Sequence, residues 1–225
     1  MSSVDSKKVS IAVNESTRVS GLLECPQASD TCMLLAPGAG AGMEHPFLAA
    51  LAKELALRGI STLRYQFPYM ELGHKRPDPP PLCHATVRAA VATARQLLPQ
   101  SRLIAGGKSF GGRMTSQAQA AMPLIDVSGL VFWGFPLHPA GKPSIDRAAH
   151  LAKVKIPLLF LQGTRDALAE LSLLRPLVAA LPLATLKEIE GADHSFHVPA
   201  RSGRTDAQVR TEMIQDFLAW SESLS

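Results

Sequence analysis

Short apolar runs alternate along this chain with longer Ala- and Leu-rich stretches at helical spacing, and few folds accept that order. The runs at 32–36 (CMLLA), 60–65, 103–106, 129–133, 157–161 (PLLFL) and 185–190 read as strands. Helices are expected between and after them. The first opens at His45-Pro46, repeats Phe47, Leu48, Leu51, Ala52 and Leu55 on one face, and stops at Arg58-Gly59. Others are expected over 85–98, 113–122, 167–181 and 205–221. Strands interleaved with helices in this way imply a mostly parallel sheet with helices on both faces. Two polar–apolar alternating runs, 8–13 and 18–23, precede this pattern and meet at the turn-like Asn14-Glu15-Ser16, which predicts an antiparallel N-terminal hairpin at one edge. With no internal repeat and no low-complexity linker, residues 1–225 are expected to form one α/β domain of about eight strands.

Composition narrows the function classes. Hydrophobic residues at 46% and charged residues at 19% are ordinary for a soluble globular protein. No apolar run is long enough to cross a bilayer, and the polar first ten residues lack the apolar centre of a secretory signal, so a cytoplasmic location is expected. The net charge of +4 is scattered; Lys7-Lys8 and Lys75-Arg76 are the only adjacent basic pairs, and aromatics are 5%. That pattern argues against a nucleic-acid partner, which would concentrate basic charge beside stacking rings. Cys25, Cys32 and Cys83 match no zinc or redox spacing and are expected to be free thiols, and Cys83 next to His84 is a poor nucleophile pair because sequence neighbours rarely converge. The histidines lack ligand spacing, so neither a metal nor a cofactor is implied.

In parallel sheets of this kind, ligands bind beyond the carboxyl ends of the strands. There the run 103–106 leads directly into Gly107-Lys108-Ser109-Phe110-Gly111, a G-x-S-x-G match between a strand and a helix. Such a turn lifts a serine hydroxyl clear of the sheet, and its glycines avoid clashes with neighbouring backbone. Ser109 is therefore the expected nucleophile. In the α/β-hydrolase arrangement that the motif resembles, the partners follow in the order Ser, acid, His. His194 and His197 both lie just past the run 185–190; His194 is nearer the strand end and is the expected base, with His197 a surface or packing residue. Among the acids, Asp126 precedes a strand, Asp146 lies deep in a loop and Asp193 adjoins His194. Asp166 directly follows an apolar strand and is the expected acid, with the N-cap of the next helix as its alternative role. The expected oxyanion donors are the backbone N–H groups of Phe110 and of Ala39, the latter in the loop Pro37-Gly38-Ala39-Gly40-Ala41-Gly42. That loop has neither the Lys-Ser/Thr ending of a phosphate loop nor a dinucleotide fingerprint.

The combination APGAGAGMEHPF, GGKSFGGRM, LQGTRD and GADHSF resembles the α/β-hydrolases across essentially the whole chain. It is most similar to the small KANSL/Tex-like group, related to dienelactone hydrolases. The resemblance implies the α/β-hydrolase fold without a cap domain and the triad Ser109, Asp166 and His194. Dienelactone hydrolases carry Cys at the nucleophile position, so their lactone specificity is not carried over to Ser109. Some relatives serve as hydrolase-like domains in larger complexes. Two Pro-containing segments after strands, 67–82 and 134–150, are expected to wall the site, with His138, Lys142 and Tyr69 as substrate contacts. The expected function is a serine hydrolase acting through an acyl-enzyme on a small-molecule carboxylic ester or thioester. The alternative is a catalytically inactive interaction domain that keeps the fold. A peptidase would call for a lid or a charged pocket for peptide ends, and the sequence offers neither clearly.

Overall fold

A computed structural model describes residues 6–27 and 29–224; Met1–Asp5, the opening of the polar N-terminal stretch, lie outside the described residues with Ala28 and Ser225. Eight strands form one sheet: β1 (Ser6–Ala12), β2 (Arg18–Glu24), β3 (Thr31–Ala36), β4 (Ser61–Tyr65), β5 (Arg102–Lys108), β6 (Val127–Trp133), β7 (Leu158–Gly163) and β8 (Ala184–Ile189). Their order across the sheet is β1-β2-β4-β3-β5-β6-β7-β8. The hairpin β1–β2 is antiparallel and β2 joins β4 antiparallel, while every later pairing is parallel. Strand order reverses at β3, which has β4 on one side and β5 on the other. The loops leaving β3 and β5 therefore part there and open a crevice at the carboxyl edge of the sheet.

The period of two along each strand sorts the core onto two faces. Leu34, Leu63, Leu130, Phe132 and Phe160 point to one. They meet α3 (Pro80–Leu97), α4 (Phe110–Ala121) and α5 (Leu171–Ala179) through residues such as Val87, Met114 and Leu174. Met33, Leu35, Ile104, Val131 and Leu159 point to the other. That face is covered by α1 (Pro46–Ala56) and α6 (Asp206–Glu222) through Leu51, Leu55, Met213 and Phe217. The helix starts follow local chemistry. His45 caps α1 by accepting the Phe47 N–H, and Thr205 and Gln208 form a reciprocal capping box on α6.

Three helices depart from the sequence reading; α4, expected from residue 113, starts at Phe110 directly after Ser109. The helix expected from residue 85 starts at Pro80, because prolines 80 and 81 occupy a first turn whose N–H groups have no helical partner anyway. Part of the irregular 67–82 segment is likewise a single helical turn, α2 (Pro68–Glu71). The helix expected from 167 starts only at Leu171, with Glu170 at its N-cap. Asp166 is thus not a helix cap; its Oδ1 accepts the Leu168 N–H at 2.7 Å and closes a tight turn instead. Within 134–150, a 3-10 helix begins at Asp146 and runs to Lys153.

Candidate active site

Ser109 lies between the last residue of β5 and the first of α4, with φ 50° and ψ −114°. A positive φ at a residue with a side chain is strained, and it persists here because the surrounding backbone leaves no room to relax. A Cβ on Gly107 would lie 2.2 Å from the Ala36 carbonyl oxygen, and one on Gly111 2.5 Å from the same atom. Strand β3 is thus packed directly against the turn, and only glycine on both sides of it allows that approach.

The structure brings Ser109, His194 and Asp166 together. His194 Nε2 is 2.8 Å from Ser109 Oγ, and its Nδ1 is 2.6 Å from Asp166 Oδ2. These three residues leave the ends of β5, β8 and β7, so their meeting is a property of the parallel sheet rather than of sequence proximity. The Asp166 side chain is fully buried and the His194 side chain is 24% exposed. Asp166 Oδ2 also accepts from Gln162 Nε2 at 2.5 Å, and Gln162 Oε1 in turn accepts the Phe135 N–H at 2.8 Å. A hydroxyl paired with an imidazole whose second nitrogen is held by a carboxylate can lose its proton as it attacks an electrophile.

The His194 loop is shaped from within. Asp193 Oδ1 accepts the N–H groups of Ser195 and His197, which turns its carboxylate away from the neighbouring imidazole. His197 points outward, with its side chain 63% exposed and Nδ1 paired to Asp206. Beneath the loop, Lys108 donates its ammonium to the His194 carbonyl and lies 5.1 Å from the Phe196 ring centroid. Burial pushes the Lys108 pKa down to about 8, opposed by the carboxylates of Asp166 and Asp193.

Ala39 and Phe110 line one cleft with Ser109. The Ala39 N–H donates to no backbone or side-chain group among the described residues, and Phe110, first in α4, has no helical acceptor for its own. The cleft is about 470 Å³ and takes its other walls from 67–82 (Pro77, Asp78) and 134–150 (Pro136, Arg147).

The three expected substrate contacts are corrected by their surroundings. His138 is fully buried: its Nε2 accepts the Glu170 N–H and its Nδ1 lies 2.9 Å from the Pro139 carbonyl, so both nitrogens tie loops together. Lys142 is exposed on a turn outside the cleft, its own N–H bonded to Pro139. Tyr69 is buried and donates its hydroxyl to the Ala39 carbonyl at 2.7 Å, holding that loop rather than facing the cleft. Burial, with Cys83 and Asp78 nearby, raises the Tyr69 pKa, so the phenol stays a donor at neutral pH. Cys83 and His84 do not pair; the His84 ring faces Gln117, and all three cysteines are free.

Four residues that shape the site escaped the sequence reading: Gln162, Lys108, Arg113 and Arg147. Gln162 carried a usable signal, as the one polar residue ending the apolar run 157–162, and Arg113 follows Ser109 by one helical turn. Among the described residues no helix is long and apolar enough to cross a membrane, and no group of three or more His, Cys, Asp or Glu is placed to hold a metal ion.

Residues 29–222 match a family model described as an alpha/beta hydrolase domain. Among solved structures, dienelactone hydrolase from Anabaena variabilis is similar with a TM-score of 0.77 at 21% identity, over 97% of this chain and 99% of that one. An α/β serine hydrolase without a lid from Xanthomonas campestris gives 0.74 at 19%, covering 96% and 95%. Est1E from Butyrivibrio proteoclasticus gives 0.69 at 14%, covering 94% and 99%. At these identities the likeness is one of fold.

Proposed function

Since this chain belongs to the alpha/beta hydrolase family, we propose that it is a serine hydrolase that cleaves a small carboxylic ester or thioester through an acyl-enzyme, with residues 1–225 acting as one domain. The observation that carries this reading is the continuous hydrogen-bonded chain from Ser109 Oγ through His194 to Asp166. Structural neighbours described as a serine hydrolase and as dienelactone hydrolase support it.

In the first half-reaction, His194 Nε2 takes the Ser109 proton as Oγ bonds to the acyl carbon, and the carbonyl π electrons move onto oxygen. The N–H groups of Phe110 and Ala39 receive that oxyanion, and losing one such donor lowers the rate by about 10²–10³. Asp166 keeps the imidazole in the tautomer with its proton on Nδ1 and stabilises the imidazolium. Gln162 holds the carboxylate in place from behind. When the tetrahedral intermediate collapses, the bond to the alcohol or thiol breaks and His194 returns the proton to the leaving group. Water, activated by the same imidazole, then releases the acid and restores the Ser109 hydroxyl.

Labelling with a fluorophosphonate tests this reading. Wild type is expected to label and Ser109→Ala to remain unlabelled. A labelled variant would mean another nucleophile. An unlabelled wild type would point instead to an inactive, hydrolase-like interaction domain.

A further inference from the structure

Among the described residues, the buried and partly buried arginines have acceptors, with two exceptions. Arg64 pairs with Glu24, Arg88 donates to the Ala118 and Met122 carbonyls, and Arg102 donates to the Leu224 carbonyl. Arg95, Arg204 and Arg210 are likewise bonded. Arg113 and Arg147, both partly buried, have neither a side-chain hydrogen bond nor an ion pair among the described residues; the Nε of Arg64, Arg95 and Arg102 lacks a hydrogen bond like that of Arg113, but those three side chains have other acceptors. These two line the cleft that contains Ser109.

No carboxylate among the described residues is paired with either of them. Asp78 is the one carboxylate on the cleft wall; its Oδ2 accepts the Tyr69 N–H at 2.9 Å, and it forms no ion pair with either arginine. The Phe110 ring lies 5.8 Å from the Arg113 guanidinium carbon and fixes its direction without offering charge. Burial, then repulsion from Arg147, holds the Arg113 pKa below its ordinary value. The nearby His150 is pushed down to about 4 by burial, Arg113 and His84. Two partly buried guanidiniums that line one cleft repel each other, and an anion bound by both would remove that repulsion. The planar forks of arginine match the paired oxygens of a carboxylate or phosphate.

We propose that Arg113 and Arg147 form an anion subsite, and that the natural substrate is an ester or thioester bearing a carboxylate or phosphate group away from the scissile bond. The inference rests on the reading of Ser109 as nucleophile, because it takes the cleft as the place where the acyl group is held. The uncharged cleft wall near Met114, Pro136 and Leu168 would accommodate the chain between the anionic end and the acyl carbon.

The test compares three para-nitrophenyl esters of matched length: the hemiglutarate, a phosphonate-tipped analogue and the uncharged pentanoate. Wild type is expected to favour at least one anionic ester by about tenfold or more in kcat/KM, the size of a charge-assisted contact. The better of the two identifies carboxylate or phosphate as the bound group. In Arg147→Gln, and separately in Arg113→Gln, the anionic-to-neutral ratio is expected to fall by about tenfold, with thermal melting checking that each variant is folded. Calorimetry of Ser109→Ala with glutarate and with inorganic phosphate reads the subsite without turnover. Equal kcat/KM for all three esters would overturn the subsite and leave the hydrolase standing. Conversely, glutarate or phosphate binding that Arg147→Gln abolishes, in a protein that cleaves none of the esters, would retain the subsite and remove the hydrolase.

Discussion

Lys108 and Arg113 stand on either side of Ser109, one at the end of β5 and the other in the first turn of α4, and the fold treats them in opposite ways. Lys108 is enclosed: its ammonium is bonded to the His194 carbonyl and faces the Phe196 and Phe47 rings. Arg113 faces the cleft with Arg147 and has no acceptor. Both cations lose hydration, but only the first regains a hydrogen bond from the protein. The difference separates two kinds of charge near a reacting group. A cation satisfied internally is part of the scaffold, whereas one left unsatisfied beside a cleft marks a place for a ligand.

The comparison can be broken in stages. Asp166→Asn should lower kcat by about 10³–10⁴ with both cations intact, measured by steady-state hydrolysis of any ester the wild type accepts; a small effect would mean that the Asp166–His194 bond is not what organises the site. Next, Lys108→Met should lower kcat by about tenfold, the scale of one lost charge-assisted bond, for charged and uncharged esters alike, whereas Arg113→Gln should act mainly on the anionic ones. Equal discrimination by the two variants would erase the distinction drawn above.

Stability sharpens the same contrast. The folded Lys108 titrates near 8 rather than at the usual 10.5, so the unfolded chain holds this proton over an interval in which the folded protein has released it. Its burial therefore destabilises the protein fully below pH 8, and the cost fades as pH rises through that interval. Lys108→Met is expected to be the more stable protein at pH 7, by up to about 3 kcal/mol, with its advantage shrinking as pH climbs to about 10; urea titrations of both proteins at several pH values measure it. Smallest of all, Arg113→Gln should raise Tm by about 2 °C or less, since its guanidinium keeps part of its hydration.

How far the sequence reveals this molecule depends on the range over which each signal acts. The strand–Ser109–helix turn was readable because its glycines and serine lie together in one short motif, although the backbone those glycines make room for, the Ala36 carbonyl, belongs to β3. Asp166 and His194 were readable as residues just beyond apolar strands, since a parallel sheet sends all such ends to one edge. The start of α3 was hidden because three consecutive prolines look like a loop even though a helix's first turn accepts them. His138, Lys142 and Tyr69 were misread, and Arg113 and Arg147 overlooked, for one reason. Whether a side chain at the sheet edge turns inward depends on packing against segments distant in sequence, and periodicity carries no record of that. The Glu170 N–H that occupies His138 is 32 residues away.

The bond between the Tyr69 hydroxyl and the Ala39 carbonyl makes the cleft wall and the Gly-rich loop a single mechanical unit. Engineers who randomise 67–82 to retune selectivity would at the same time disturb the posture of the peptide after Pro37. Libraries that keep Tyr69 and Asp78 and diversify 74–77 alone should retain far more active members than libraries that replace the whole segment.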